Sequence, residues 1–343
     1  MKRVKLSEFQ IIPIVSSARR LDISDAEYFS SKYRDYISNS RLSFINPDQD
    51  GSPGKYKNPP KLSTSSLILG SAIHELVLQP ESFTLAPKCN KPTAKLGATI
   101  DKIKFYRDRG LSIKDSIKQA SIDCDYYVNQ IESKISKIIK EGLGYYIASK
   151  HFSDDIITLS NKDWDTCTGC VNSIFNDSQI MDALKPKNDF GIEIPSFNED
   201  SLFLDVLVTY RDKYTVLKLK MKADNWTIDE ENKVLTLNDL KTTSKPVAWF
   251  MNKEYGSFYH YHYYRQFGLY MMMLKHYCMK EYGVTSKWEF KGNVLVVNTT
   301  DQSTKLYKIT KKQFEQGELE YQRLLKMIAY YKINGFSPEV TFV

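Results

Sequence analysis

The chain has 343 residues, 42% hydrophobic and 26% charged, which excludes wholesale disorder and collagen-like architecture and leaves room for one large domain or two ordinary ones. Lys+Arg 48 against Asp+Glu 41 gives a net charge of +7, a mild basic excess that is compatible with a polyanionic partner but too small to identify one. Five cysteines, at 89, 124, 167, 170 and 278, are odd in number and scattered, which argues against a disulfide scaffold and fits a reducing compartment.

The opening, MKRVKLSEFQIIPIVSS, has too short an apolar stretch for a signal peptide, and no run of about 18 apolar residues follows. A soluble, cytoplasmic protein without membrane contact is expected. Residues 46–60, NPDQDGSPGKYKNPP, carry Pro, Gly and Asp with no hydrophobic period and read as a loop. Residues 66–78 are apolar and helical, turn signals cluster around 87–97, and 98–150 is a charge-laced helical stretch with apolar residues three and four apart. Cys167 and Cys170 form a CxxC inside a helix expected over 162–184. A zinc or iron–sulfur site needs about four ligands and no second pair follows, so they read as small residues packed in that helix.

From 190 to 241 the texture changes to four strands, IEIPSF, LFLDVLVTY, YTVLKLKMKA and KVLTLNDLK, joined by polar turns. Helices resume over 246–253 and 259–282. A strand pair, EFKGNVLVVN and TKLYKIT, leads to a closing helix over 311–333. The expected architecture is α/β, a central mixed sheet with an antiparallel leaning flanked by helices, with a helical N-terminal extension. In domain terms, 1–60 is an N-terminal segment and loop, and 61–338 is the main domain, helical over about 61–185 with sheet and site over about 186–338.

The chemistry concentrates in residues 218–243, KLKMKADNWTIDEENKVLTLNDLKTT. Asp239 and Lys241, two apart in a strand, project from one face, which they share with Leu235 and Leu237. A charged pair ending an apolar stripe points to a cleft at the edge of a core. Asp224 is read as the end of the preceding strand, and a hairpin through Asp229–Asn232 would return Asp239 beside it. Such carboxylates can hold one or two Mg²⁺ ions, and a lysine beside them can orient an attacking water and stabilise the charge of an in-line displacement at phosphorus. Glu193 is a lesser candidate for the same cleft. Lys218, Lys220 and Lys222 share a face with Asp224 as a solvated strand face or a phosphate track.

Taken together, these stretches resemble the PD-(D/E)XK nuclease superfamily, in particular its RecE (exonuclease VIII)/RecB-like exonuclease branch of phage or prophage type. The resemblance is carried by ISNSRLSFINP (37–47), LGSAIHELVLQPESF (69–83) with His74, LNDLKTT (237–243), YHYHYYRQFGLY (259–270) and GELEYQRLLKMIAYYKINGF (317–336), in the family's order. Lys222-Ala223-Asp224 lacks the proline usual before the first acid. The cysteines of iron–sulfur relatives and the GxxxxGK[ST] of a helicase partner are absent.

The resemblance implies metal ligation by His74, Asp224, Asp239 and the carbonyl of Leu240, with Lys241 as catalytic lysine alongside Asp224 and Asp239. Gln266 and Tyr270, sharing a helix face with His262, would contact the DNA backbone or brace the metal ligands. The implied activity is Mg²⁺-dependent exonuclease action (Mn²⁺ able to substitute), 5′-to-3′ on linear double-stranded DNA, in phage or prophage recombination. A single-strand annealing protein is the implied partner and a homo-oligomer the implied assembly. The alternatives are an endonuclease or single-strand nuclease on the same core, or a non-catalytic DNA-binding recombination scaffold.

Overall fold

A seven-stranded mixed sheet flanked by helices organises the chain in a computed structural model, which describes residues 2–60, 65–80, 92, 94–150, 159–336 and 340–343. Strands β1 (Lys2–Val4), β2 (Phe9–Pro13) and β3 (Arg19–Leu21) come first, then short helices α1 (Asp25–Tyr28), α2 (Asn39–Ser43) and α3 (Pro53–Lys57). Helices α4 (Ser65–Leu78), α5 (Ala94–Arg107), α6 (Ile113–Asp123), α7 (Ile131–Lys150), α8 (Asn161–Asn176) and α9 (Ser178–Leu184) follow. Then come β4 (Ser196–Tyr210), β5 (Lys213–Asp229) and β6 (Val234–Thr243), α10 (Ser257–His260) and α11 (Tyr263–Tyr282), β7 (Glu289–Asn298) and β8 (Thr304–Lys308), α12 (Lys311–Asn334) and β9 (Val340–Phe342).

Two units divide the chain. The smaller holds Ser65–Glu75 and Pro80–Gly169, and the larger holds the rest, including Leu76–Gln79. In the smaller, α5, α6 and α7 pack around Ile100, Ile103, Ile117, Ala120 and Ile138. Cys89 and most of the turn region expected over 87–97 lie outside the described residues.

In the larger unit the sheet order is β2-β4-β5-β6-β7-β8, with β3 also on the outer edge of β4. Pairing is antiparallel except between β6 and β7, which run parallel because α10 and α11 carry the chain back across the sheet. The first sixty residues therefore supply strands β2 and β3 to the sheet as well as short helices. IEIPSF and LFLDVLVTY are not two strands: a single strand, β4, spans Ser196 to Tyr210. The helix expected over 162–184 breaks at Asp177, whose carboxylate accepts from the Gln179 and Ile180 amides and starts α9 anew. Cys167 and Cys170 are buried in α8, as small packed residues should be.

Helix α11 covers the sheet face bearing Trp226, whose ring meets Tyr277 and Tyr282. Helix α12 begins with a capping box between Thr310 and Gln313 and packs along α11. The two helices meet at Gly268 and Gly317, where a Cβ on Gly268 would lie 2.6 Å from the Gly317 carbonyl carbon.

On the opposite side of the β5–β6 pair, four asparagines form a ladder across four strands. Asn225 donates to Asn198 Oδ1 at 2.7 Å, Asn238 to Asn225 Oδ1 at 2.6 Å and Asn293 to Asn238 Oδ1 at 2.8 Å. Asn238 and Asn225 also donate to the last carbonyls of α9, Ala183 O and Leu184 O. Amides suit this position because each offers donors and an acceptor where buried strands meet a helix end.

Candidate active site

The β5–β6 register is fixed by Asn225↔Asn238, Trp226↔Leu237, Thr227↔Thr236 and Ile228↔Leu235. The ladder ends at Asn225↔Asn238, and Asp224 and Asp239 are the residues that adjoin this last pair on their strands. Asp224 is not at the end of its strand, as its polar neighbours suggest, because β5 continues to Asp229. The buried Trp226 and Ile228 extend the alternation and pack opposite Leu237 and Leu235. The acid thus sits on a rigid ladder, and its Oδ2 accepts the Leu240 amide at 2.8 Å.

Asp239 is 3% exposed and clamped from two sides. Gln266 Nε2, from the first turns of α11, donates to its Oδ1 at 2.6 Å, and Lys241 Nζ lies 2.5 Å from its Oδ2. The same ammonium donates to the Leu240 carbonyl at 3.3 Å and lies 5.1 Å from the centre of the Tyr263 ring. Asp224, Asp239, Lys241, Leu240 and Gln266 are therefore brought together. Gln266 touches the Asp239 carboxylate directly. Burial alone would lower the Lys241 ammonium, but Asp239 and Asp224 outweigh it and hold it above its ordinary value, so it is a fixed cation at neutral pH. Burial raises Asp224, with Lys241 working against that rise.

A third carboxylate, Glu199 on β4, was not expected. Its oxygen lies within 4.8 Å of that of Asp224. Glu199 has φ +52 and interrupts the β4–β5 ladder between Asn198↔Asn225 and Asp200↔Ala223, the kind of backbone departure that accompanies functional sites. Burial and then the Asp224 charge push its carboxyl up to about 7, against the pull of Lys222 2.7 Å away. The signal was present in the sequence: counting back from the two-residue turn at Arg211-Asp212 sets Glu199 opposite Asp224. Glu193 is instead exposed, in an isolated bridge to Lys187, because it precedes β4.

Tyr270, one turn beyond Gln266, faces the same carboxylates. Burial, then Tyr28, Asp239, Asp224 and Glu199, hold its phenol well above the ordinary value, so it stays protonated. His262 does not share a helix face with Gln266 and Tyr270. It precedes α11 in a left-handed conformation, and its Nδ1 lies 2.7 Å from Glu320 on α12. Of the three β5 lysines, Lys220 is buried and donates to the Tyr28 carbonyl at 2.7 Å, and Lys222 pairs with Glu199 and Asp25. Neither is a free phosphate contact. His74 lies on α4 in the smaller unit, half-buried.

Within the larger unit the donors are oxygens throughout: Glu199, Asp224, Asp239 and the Leu240 carbonyl. That set suits a hard divalent cation such as Mg²⁺ rather than a thiolate-seeking one. The arrangement can bind such a cation and present one fixed ammonium to an anionic group beside it.

Among the described residues no helix is long and apolar enough to cross a membrane. No family model matches the chain and no curated protein matches its sequence. Among the crystal structures similar to it are two with these features. One is that of a "Putative exonuclease" from Eubacterium rectale, 10% identical, covering 93% of this chain and 89% of that one, with a TM-score of 0.44. The other is that of Rai1 from Scheffersomyces stipitis, in complex with (3′-NADP)⁺ and a calcium ion, 10% identical, covering 97% and 86%, with a TM-score of 0.23. At such scores the site geometry, and neither likeness, carries the functional reading.

Proposed function

We propose that this chain is a metal-dependent nuclease of the PD-(D/E)XK type that hydrolyses phosphodiester bonds in DNA, acting as a 5′-to-3′ exonuclease on linear duplexes. The observation that carries the reading is the convergence of Asp224, Asp239 and Lys241 on adjacent strands, each held by a partner inside the chain. Structural hairpins do not ordinarily bury two carboxylates and an ammonium together, because desolvating them is costly unless their charges serve a purpose.

Asp224, Asp239, Glu199 and the Leu240 carbonyl would hold Mg²⁺, with Mn²⁺ able to replace it and His74 as a further ligand, as the sequence resemblance implies. The ion would lower the pKa of a bound water and neutralise charge on the scissile phosphate. Lys241 contributes a permanent positive charge beside Asp239, fit to orient the nucleophile and stabilise the oxyanion of the in-line displacement. Gln266 is a positioning residue that fixes the Asp239 carboxylate, and Tyr270 keeps a protonated phenol within electrostatic reach of the acids. End-dependence, polarity, a recombination role beside a single-strand annealing protein and homo-oligomeric assembly rest on the family resemblance.

The test incubates linear duplex, covalently closed circular duplex and linear single-stranded DNA with Mg²⁺ or EDTA, with Asp239→Ala as control. Loss of linear duplex alone, dependent on metal and Asp239, is expected. Cutting of the closed circle would mean an endonuclease, and binding without products would mean a DNA-binding scaffold.

A further inference from the structure

Lys241 does not stand alone at the mouth of the site. Its ammonium lies 5.1 Å from the centre of the Tyr263 ring, and that ring lies 5.8 Å from the ring of Tyr261. Tyr261 is 53% exposed. Twelve residues earlier on the same connection from β6 to α11, Trp249 is 49% exposed and meets Tyr255, 45% exposed, at 5.4 Å. Three large aromatic rings are therefore presented to solvent on the segment that leaves the strand bearing Asp239 and Lys241. Aromatics of this size usually bury their area, and exposed rings on the segment that leaves a charged site call for a ligand with flat apolar faces.

The segment is built to hold them still. Phe250 and Phe258 are buried, and the Phe250 ring stacks at 6.0 Å on Tyr263. Asn252 accepts from the Glu254 and Tyr255 amides through its side chain. Gly256 packs so tightly that a Cβ would meet the carbonyls of Asn252 and Phe250. Lys245, exposed, reaches across to the Tyr255 carbonyl and keeps a positive charge beside the rings. Rigid aromatics with a neighbouring cation match the chemistry of unpaired nucleobases on a phosphate backbone: each base has a stackable face whatever its identity, and each step along the strand carries a negative charge.

We propose that Tyr261, with the Trp249–Tyr255 pair, is a stacking surface for the unpaired bases of a single strand lying beside the cleaved phosphate. This rests on the nuclease reading and deepens it: the surface holds the bases of a strand frayed from a duplex end. Its continuity with the site is direct, from Tyr261 through Tyr263 to Lys241.

The test uses the full chain in EDTA, so that binding is read without turnover. Affinity is measured for a short single-stranded oligonucleotide carrying 2-aminopurine, whose fluorescence falls on stacking, and for a blunt duplex of the same sequence. Tyr261→Ala and Trp249→Ala should each weaken single-strand binding about fivefold or more and reduce the quenching, since stacking on one aromatic side chain is worth about 1–3 kcal/mol per base. Tyr261→Phe should keep both, and duplex affinity should change less than twofold. Unchanged single-strand binding in the alanine variants of a chain that still cleaves DNA would overturn this proposal alone, as would equal losses on duplex and single strand. Failure of the unsubstituted chain to bind or cleave any DNA would overturn the nuclease reading together with it.

Discussion

Asn238 is fully buried at the centre of the asparagine ladder, one register step from Asp224 and Asp239. Replacing it with alanine removes three hydrogen bonds and strands three partners: the Ala183 carbonyl, Asn225 Oδ1 and Asn293 Nδ2. A buried group left unsatisfied costs about 1–3 kcal/mol. Asn293 is only half-buried and can turn to water, so the expected loss is about 3–5 kcal/mol rather than the full sum. Asn293→Ala is the calibrating variant, because it strands only Asn238 Oδ1 and should cost about 1–2 kcal/mol. Equilibrium unfolding in urea, followed by circular dichroism, measures both as shifts in midpoint at constant slope. A loss below about 1 kcal/mol for Asn238→Ala, or one no larger than for Asn293→Ala, would refute the ladder as a determinant of the β5–β6 register.

Other expectations follow from the same geometry. Gly317→Ala forces a methyl group into the Tyr264 carbonyl on α11 and should lower stability by about 1–3 kcal/mol, visible as a depressed melting temperature. In EDTA, Glu199 should make the fold less stable as pH rises. Its folded carboxyl titrates near 7 against an ordinary 4.5, so between those values the unfolded chain ionises first and the folded state falls behind by on the order of 3 kcal/mol once both are ionised. Glu199→Gln should flatten that part of the stability–pH curve between pH 5 and 8, and an unchanged slope would remove Glu199 as its source. Lys241→Ala should cost about a hundredfold or more in cleavage rate while DNA affinity stays within a few-fold. Gln266→Ala should cost about 10- to 100-fold in metal affinity or rate, since it frees the Asp239 carboxylate, and titration with Mg²⁺ separates the two.

The β6 alternation, which sets Leu235, Leu237, Asp239 and Lys241 on one face, was legible in the sequence because strand periodicity is a local property. So were the closing helix and the buried pair Cys167 and Cys170, since apolar spacing is also read within a few residues. The extent of β5 was not legible: Ala-Asp-Asn looks like a strand end until Trp226 and Ile228 find Leu237 and Leu235 opposite. Nor was the place of β2 and β3, because edge pairing with β4 joins residues nearly two hundred positions apart.

The site divides in the same way. Asp224, Asp239 and Lys241 could be named from spacing along one hairpin. Glu199 needed the neighbouring hairpin as well, counted back from the turn at Arg211-Asp212, and the chain holds it in a left-handed conformation, whereas Glu193 lies before β4 in an isolated bridge to Lys187. The fate of the β5 lysines was likewise decided in three dimensions, where Asp25, Glu199 and the Tyr28 carbonyl consume two of them. The sequence by itself determined which side chains carry charge and on which face of a strand they lie. Only the tertiary structure decided which of those charges meet, because partners from distant strands set how far each is desolvated and what neutralises it.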